Sequence, residues 1–391
     1  MQNLLNGLRV LDTTSIVMGP MASQTMADLG AEVIKIEPPE GDLARASGTP
    51  GPGGMGALFA NNNRNKRSLA LDLKRPECRA ALERLLEQAD AVLLNMRPKA
   101  AARLGLDSET LCARYPRLIH CLATGFGTDG PYGGRAAYDD IIQAAAGLAG
   151  LAGRVSGVPA YVPSIMADKI GALHVVHAVL AAVIHRQATG KGMAIEVPMF
   201  ETLTAFLMNE HLDAATYHTT AAPGYARVLT PHRRPYATAD GWLAVMPYTR
   251  QHWAAMLAMI GKQAITEASW FDDAGERNRR ASVLYALLAE ALPDRTTAGW
   301  TEALAQTDIP HAAVPGFDSV LEDPHLAAQG FFAPSDGLPG RARSVPQPVR
   351  FTGVARCADR PPPALNADGA AILQEAGFGA AEIAQLLGMG P

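Results

Sequence analysis

Short apolar runs alternate with helical stretches through the first third of the chain, and this alternation restricts the fold more than any other feature. Leu8–Asp12 reads as a buried strand. Gly19-Pro20 then breaks the chain and opens a helix, MASQTMADLG, which Gly30 closes at a C-cap position. Strands follow at Glu32–Glu37, Ser68–Asp72, Ala91–Leu94 and Arg117–Ala123, with a helix from Pro76 to about Gln88, and AIEV after Gly192 gives another short strand. Apolar strands separated by helices predict a doubly wound α/β domain, a parallel sheet with helices on both faces. No G-x-G-x-x-G follows the first strand, so the usual dinucleotide fingerprint is missing. The Gly/Pro-rich segment from Pro38 to about Gly56 reads as a long irregular loop, of the kind that is functional or mobile in compact domains.

Ser164–Gly192 is the second constraint. Asp168 stands at the head of a run with no charge from Ile170 to Ile184, and apolar residues fill nearly every helical position. That pattern predicts a helix buried all round. The uncharged run is too short for a membrane span and contains His174 and His177, so it reads as a core helix with both histidines as satisfied structural groups. Asp168 has two readings. Aspartate at a helix start is commonly a cap, favoured by free N–H groups and the helix dipole. A carboxylate at the mouth of a core helix is also placed to act as a nucleophile.

The chain is long enough, at 391 residues and 48% hydrophobic, for a large core and more than one domain. A net charge of -4 without a basic block argues against nucleic acid and anionic membrane as partners. Cys78, Cys112, Cys121 and Cys357 show no C-x-x-C spacing, which predicts neither a zinc site nor a disulfide framework and fits a reducing cytoplasm. The start, MQNLLNGLRVLD, lacks the pattern of a secretory signal. Turn-rich connectors suggest a large domain in residues 1–200, a linker over 201–231, a smaller α+β domain over 232–329 and a return to the large domain over 330–391.

Cations and amides cluster where strands end: Lys74, then Asn95 and Arg97, then Arg103. Ligands of doubly wound sheets bind at the carboxyl ends of the strands, and such cations suit phosphates. Each taken alone also fits a solvated surface cation. Ala137-Tyr138-Asp139-Asp140 follows a Gly-rich turn, and one of its acids is expected to cap the helix IIQAAAGLAG. No His-x-x-x-His pair with a third ligand and no G-x-S-x-G occurs, so neither a metal nor a serine triad is indicated.

Taken together and in order, these segments resemble the family III CoA transferases, a superfamily that includes the formyl-CoA and carnitine-pathway enzymes and the α-methylacyl-CoA racemases. The resemblance rests on LNGLRVLD with GPMASQTMADLGAEVIKIEPPEGD, NRNKRSLALDLKRPE, ADAVLLNMRP with RLGLD, YPRLIHCLATGFGTDGPY, AYDDIIQAAAG, the Asp168 helix with RQATGKGMAIEVPMFE, RRPYATADGWLAV and DIPHAAVPGFDSVLEDPHLAAQGFF. It implies a Rossmann-like large domain, a smaller α+β domain and an interlocked, ring-like homodimer. It also implies CoA or acyl-CoA as substrate, with no tightly bound cofactor and no metal. The family's nucleophilic aspartate falls on Asp168. Its CoA-binding positions fall on Val17-Met18-Gly19, Leu71-Asp72-Leu73-Lys74, Asn95-Met96-Arg97, Arg103 and Ala136-Ala137, and a Tyr-Glu pair lining the active site falls on Tyr138-Asp139. Val17 stands where the formyl-CoA enzymes carry glutamine and would line the active site with that pair.

What the resemblance implies chemically is transfer of CoA from an acyl-CoA, succinyl-CoA or another short-chain thioester, to a free carboxylic acid through aspartyl anhydride and aspartyl-CoA intermediates. The racemases carry a histidine where this chain has Tyr138, and racemisation needs a second acid/base, so the departure favours transfer. A racemase and a non-catalytic CoA-binding protein remain the alternatives. Arg233 or Arg234 would suit the second carboxylate of a dicarboxylic acid, although exposed arginine is the commoner reading.

Overall fold

A computed structural model describes residues 3–332, 343–355 and 358–388. The chain divides into two compact units: residues 1–147, 161–206 and 328–391 form one, and residues 148–160 and 207–327 the other. In chain order the first unit contributes β1 (Arg9–Asp12), α1 (Met18–Asp28), β2 (Glu32–Glu37), α2 (Ala57–Asn62), β3 (Arg67–Ala70), α3 (Pro76–Glu87), β4 (Ala91–Leu94), α4 (Pro98–Leu104), α5 (Ser108–Arg114), β5 (Ile119–Thr124) and α6 (Asp139–Ala145). Then come α7 (Leu148–Ser156) of the second unit, α8 (Met166–Thr189), β6 (Ala194–Pro198) and α9 (Met199–His211).

The six strands form one wholly parallel sheet in the order β3-β2-β1-β4-β5-β6. This is the doubly wound order, with its reversal between β1 and β4. Every strand expected from the sequence is present. The helix after β1 begins at Met18, so Pro20 lies inside its first turn, where its missing N–H costs nothing. Gly30 takes the position after the last helical turn at φ 106, a left-handed conformation that suits glycine. The helices α4 and α5 stand where the sequence offered no clear periodicity. Both are short; α5 is announced only by Asp107, whose carboxylate accepts from Thr110 N. The Pro38–Gly56 loop contains two 3-10 helices, Leu43–Ala46 and Pro52–Gly54.

The core on one face of the sheet packs Leu11, Ile34, Leu69 and Val92 against Leu82 and Leu85 of α3, and against Ile372, Leu373 and Leu386. The last three lie on α15 (Gly369–Glu375) and α16 (Ala380–Leu386), so the chain returns to the first unit after a short α14 (Pro324–Ala328). In the second unit β7 (Tyr236–Ala237), β8 (Trp242–Val245) and β9 (His311–Ala313) form an antiparallel sheet. It packs with α10 (Arg250–Met259), α12 (Ala281–Ala291) and α13 (Thr297–Leu304) around Trp253, Phe271, Tyr285 and Trp300, and the short α11 (Ala274–Arg279) leads into α12.

The helix α8 departs from expectation in three ways. It runs for 24 residues, because Asp168, Lys169 and Arg186 continue it beyond the uncharged stretch. By length and composition alone it could cross a membrane. It instead lies along α1, α6, β5 and β6, with Gly171 tight against the Met18 side chain. It is not buried all round: Val175, Val179 and Ala182 are inside, whereas Leu173 and Ile184 are 57% and 67% exposed. His177 is exposed as well, while His174 Nδ1 lies 2.9 Å from the Ile170 carbonyl, so only one of the pair is the bonded structural histidine that was expected. Cys78, Cys112 and Cys121 are free thiols; Cys357 lies outside the described residues.

Candidate active site

A cleft of about 250 Å³ opens at the carboxyl ends of the strands, at the reversal point between β1 and β4. Ser15, Ile16 and Met18 line it after β1, Asn95–Pro98 after β4, and Ala123–Phe126 at the end of β5. Leu43, Gly134–Tyr138, Asp168 and Met199 complete the wall. The cleft lies where the topology of a doubly wound sheet places ligand sites.

Its β1 edge is held by buried charge. The Asp12 carboxylate, at the end of β1, accepts from Thr14 N at 2.9 Å, from the Thr14 hydroxyl, from Ser23 Oγ at 2.6 Å and from Lys66 Nζ at 3.0 Å. Lys66 spends its other protons on the Pro20 carbonyl at 2.9 Å and Asn63 Oδ1 at 2.7 Å. Burial would raise the Asp12 pKa, yet Lys66, Lys35 and the two hydroxyls overcome it and hold the carboxyl well below the usual range. Burial is also the main influence on Lys66, and it lowers that ammonium to about 8. Lys35 Nζ donates to the Thr14 carbonyl at 2.8 Å and pairs with Asp42 at 3.0 Å. Asp42 in turn accepts from Ile16 N at 3.1 Å. Ile16 sits at φ 72, a conformation that costs a β-branched residue on the order of 1–3 kcal/mol and persists only where its surroundings impose it. The network beneath supplies that constraint. Gly19 is needed at the same edge, because a Cβ there would collide with the Thr14 side chain.

The floor of the cleft is different. Asp168 is the third residue of α8, but it does not cap its own helix; Oδ1 accepts at 3.1 Å from Met18 N, the first residue of α1. The free N–H of Asp168 is taken at 3.1 Å by Asp139 Oδ1. Asp139 therefore caps α8, and neither acid caps α6, whose N-cap Tyr138 makes no side-chain bond. The expected capping roles are thus displaced onto neighbouring helices, because each carboxylate reaches the orphan N–H of the helix it faces. Gln143, wholly buried, completes the arrangement. Its amide donates to Asp139 Oδ2 at 2.6 Å and to the Ser164 carbonyl at 3.1 Å, and its oxygen accepts from Val162 N at 2.9 Å. Gln143 thereby ties α6 to the segment that leads into α8.

With one N–H for its charge and a second carboxylate beside it, Asp168 has its pKa raised to about 6, by burial first and by Asp139 second, against the lowering pull of Met18 N. The dipole of α8 favours the anion, as the sequence suggested, but burial and Asp139 outweigh it. At neutral pH the group is still mostly ionised and is more basic than a surface carboxylate. That is the state a nucleophile requires.

The structure brings Met18, Asn95, Met96, Arg97, Ala136, Ala137, Tyr138 and Asp168 to this cleft. Asp139 lies behind Asp168. Val17 and Leu71 are buried in the core, Leu73 packs against it, and Gly19, Asp72, Lys74 and Arg103 do not line the cleft. Asn95 is committed to the loop after β1: its Oδ1 accepts from Ser15 N at 3.1 Å and its Nδ2 donates to the Ser15 carbonyl at 2.9 Å. It latches the two loops across the reversal point. Sequence reasoning missed Gln143 and Arg135. The signal for Gln143 was a polar side chain in the apolar run IIQAAAG; for Arg135 it was a cation at the end of the Gly-rich turn. Among the described residues, no three His, Cys, Asp or Glu side chains are grouped to hold a metal ion.

Comparison with known proteins identifies the family. The family model described as CoA-transferase family III matches residues 5–369. A succinate–glutarate CoA-transferase of Agrobacterium fabrum is 31% identical over 95% of this chain and 95% of its own length. A probable fatty acyl-CoA transferase of Mycobacterium tuberculosis is 30% identical over 94% of this chain and 97% of its own. The crystal structure of a CAIB/BAIF family protein from Brucella suis superposes with a TM-score of 0.80 at 30% identity, covering 96% of this chain and all of that one.

Proposed function

The chain belongs to CoA-transferase family III, and we propose that it moves CoA from a short-chain acyl-CoA, succinyl-CoA first among the candidates, to a free carboxylic acid, with Asp168 as the covalent carrier. The observation that carries this reading is the Asp168 carboxylate on the cleft floor, raised to about 6 and held by Met18 N. The succinate named for the Agrobacterium relative supports the choice of a succinyl group.

Transfer without loss to water divides into exchanges at one carboxylate. An Asp168 oxygen attacks the thioester carbonyl; the C–S bond breaks, CoA thiolate leaves, and an acyl-aspartyl anhydride remains. The thiolate attacks the aspartyl carbonyl and releases the donor acid as its carboxylate, leaving an aspartyl-CoA thioester. The acceptor carboxylate attacks that thioester, freeing thiolate again. The thiolate finally attacks the acceptor's carbonyl in the new anhydride and restores Asp168. Each attack places negative charge on a carbonyl oxygen, which preorganised donors stabilise. Met18 N–H, already directed at Asp168 Oδ1, is such a donor when that oxygen belongs to the aspartyl carbonyl. Arg97, at the start of α4 on the cleft wall, is assigned to the phosphates of CoA.

A second copy of the chain belongs to the proposal, as an interlocked homodimer. The exposed Leu173 and Ile184 on α8 offer it an apolar face, and light scattering on the purified protein tests it. The free thiols of Cys78, Cys112 and Cys121 suit a reducing compartment, which favours the cytoplasm. Mass-spectrometric screening of succinyl-CoA and acetyl-CoA against a panel of carboxylic acids tests the activity: new acyl-CoA products are expected. Deuterium exchange at the α-carbon of a 2-methylacyl-CoA, without any acceptor acid and without CoA transfer, would instead identify a racemase.

A further inference from the structure

Two guanidinium groups border the cleft that holds Asp168, those of Arg97 and Arg135. Among the described residues neither forms an ion pair. They are held differently. Both residues are exposed, and Arg97 is the N-cap residue of α4. The Arg135 guanidinium lies 4.6 Å from the ring centre of Tyr132 and 6.0 Å from that of Phe126. Those rings pack on each other at 5.4 Å, and Phe200 meets them at 5.4 Å and 6.2 Å. Arg135 thus rests on an aromatic platform at the exposed rim of the cleft. A guanidinium stacked by its face keeps its N–H edge free, and that planar fork matches a carboxylate bidentately at reduced entropic cost.

Position adds to this. Arg135 precedes Tyr138, the N-cap of α6, by a single short turn of chain, and the next residue, Asp139, holds the N–H of Asp168. Arg135 and Asp168 thus line one cleft, joined through the short segment that carries Tyr138 and Asp139. An acid with two carboxylates presents one to the reacting centre, while the other remains anionic near Asp168 and Asp139. Like charges in a partly desolvated cleft repel, so such an acid needs a cation on the wall.

We propose that Arg135 grips the non-reacting carboxylate of a dicarboxylic acid and makes the enzyme selective for dicarboxylic over monocarboxylic substrates. This rests on the CoA-transfer reading. The test compares kcat/KM for succinate and glutarate with kcat/KM for propionate and butyrate as acceptors, with acetyl-CoA as donor. Wild-type enzyme favours the dicarboxylates. In Arg135→Gln the dicarboxylate-to-monocarboxylate ratio falls about 10- to 100-fold, the value of a lost charge-assisted bond. Tyr132→Leu keeps the cation but removes its platform, and lowers the same ratio by a smaller factor. The inference is overturned if wild type shows no preference, if Arg135→Gln lowers both classes equally, or if it raises the KM for acyl-CoA and leaves the ratio alone, as a phosphate contact would. A wild-type enzyme that transfers CoA to no acid of either class overturns the CoA-transfer reading itself, and this inference with it.

Discussion

Asp12 and Asp168 are aspartates set around the first turns of α1, and their surroundings treat them in opposite ways. Asp12 has an ammonium, two hydroxyls and a backbone N–H, and is held strongly acidic. Asp168 has one backbone N–H and a neighbouring carboxylate, and is raised to about 6. Asp12 is fully buried and Asp168 only partly so, which by itself would raise Asp12 more; compensation reverses that order. The compensated carboxylate fixes a loop. The uncompensated one is left with a free lone-pair direction and raised basicity, and it faces the cleft. Environments that push like groups apart in pKa mark a division of labour between structure and chemistry.

The largest effect that tests this contrast is on activity. Asp168→Asn should reduce transfer at least about 1,000-fold, as removal of a covalent nucleophile does. It should also stabilise the fold. Between the usual carboxyl value of 3.8 and about 6, folded Asp168 keeps a proton that the unfolded chain has released, so stability falls as pH rises through that window. The corresponding cost at neutral pH is about 3 kcal/mol as an upper bound. Thermal unfolding of Asp168→Asn should therefore show a Tm several degrees above wild type at pH 7.5 and a smaller gain at pH 4. A lower Tm at pH 7.5 would mean that the charge is compensated after all.

The opposite substitution breaks the other half. Lys66→Met leaves Asp12 buried and unpaired, which costs about 3–5 kcal/mol. Chemical denaturation should show that loss, with residual activity limited by misplacement of the loop bearing Ile16. A change below about 1 kcal/mol would remove the network from its bracing role.

Asp139→Asn probes a smaller effect. It keeps the shape and an acceptor for the Asp168 N–H but removes the second charge. The acid limb of kcat/KM, expected near pH 6 in wild type, should move to lower pH by a fraction of a unit, because burial, the larger cause, remains. An unmoved limb would assign the titration to another group.

Much of the first unit was legible in the sequence. Strand identity is written in contiguous apolar runs such as VLD and AVLL, and the parallel order follows from the helices between them. Asp168 stood out as an acid heading an uncharged run. What the acids bond to was not legible. Local rules assign a helix-start aspartate to its own N–H groups, whereas Asp168 and Asp139 each serve a helix distant in sequence. The amphipathic side of α8 was also hidden, because alanine and histidine spread evenly round the helix while Leu173 and Ile184 are left outside. The Asn95 latch and the strain at Ile16 depend on how two loops meet after folding, and no local pattern encodes that.

The most direct test of the contrast is chemical trapping at the raised carboxylate. The enzyme is incubated with acyl-CoA, quenched with hydroxylamine or borohydride, digested and mapped by mass spectrometry. The mass change should appear on the peptide carrying Asp168 and vanish in Asp168→Asn. A modification on Asp139 instead, or turnover of acyl-CoA with an unmodified Asp168 peptide, would contradict the account.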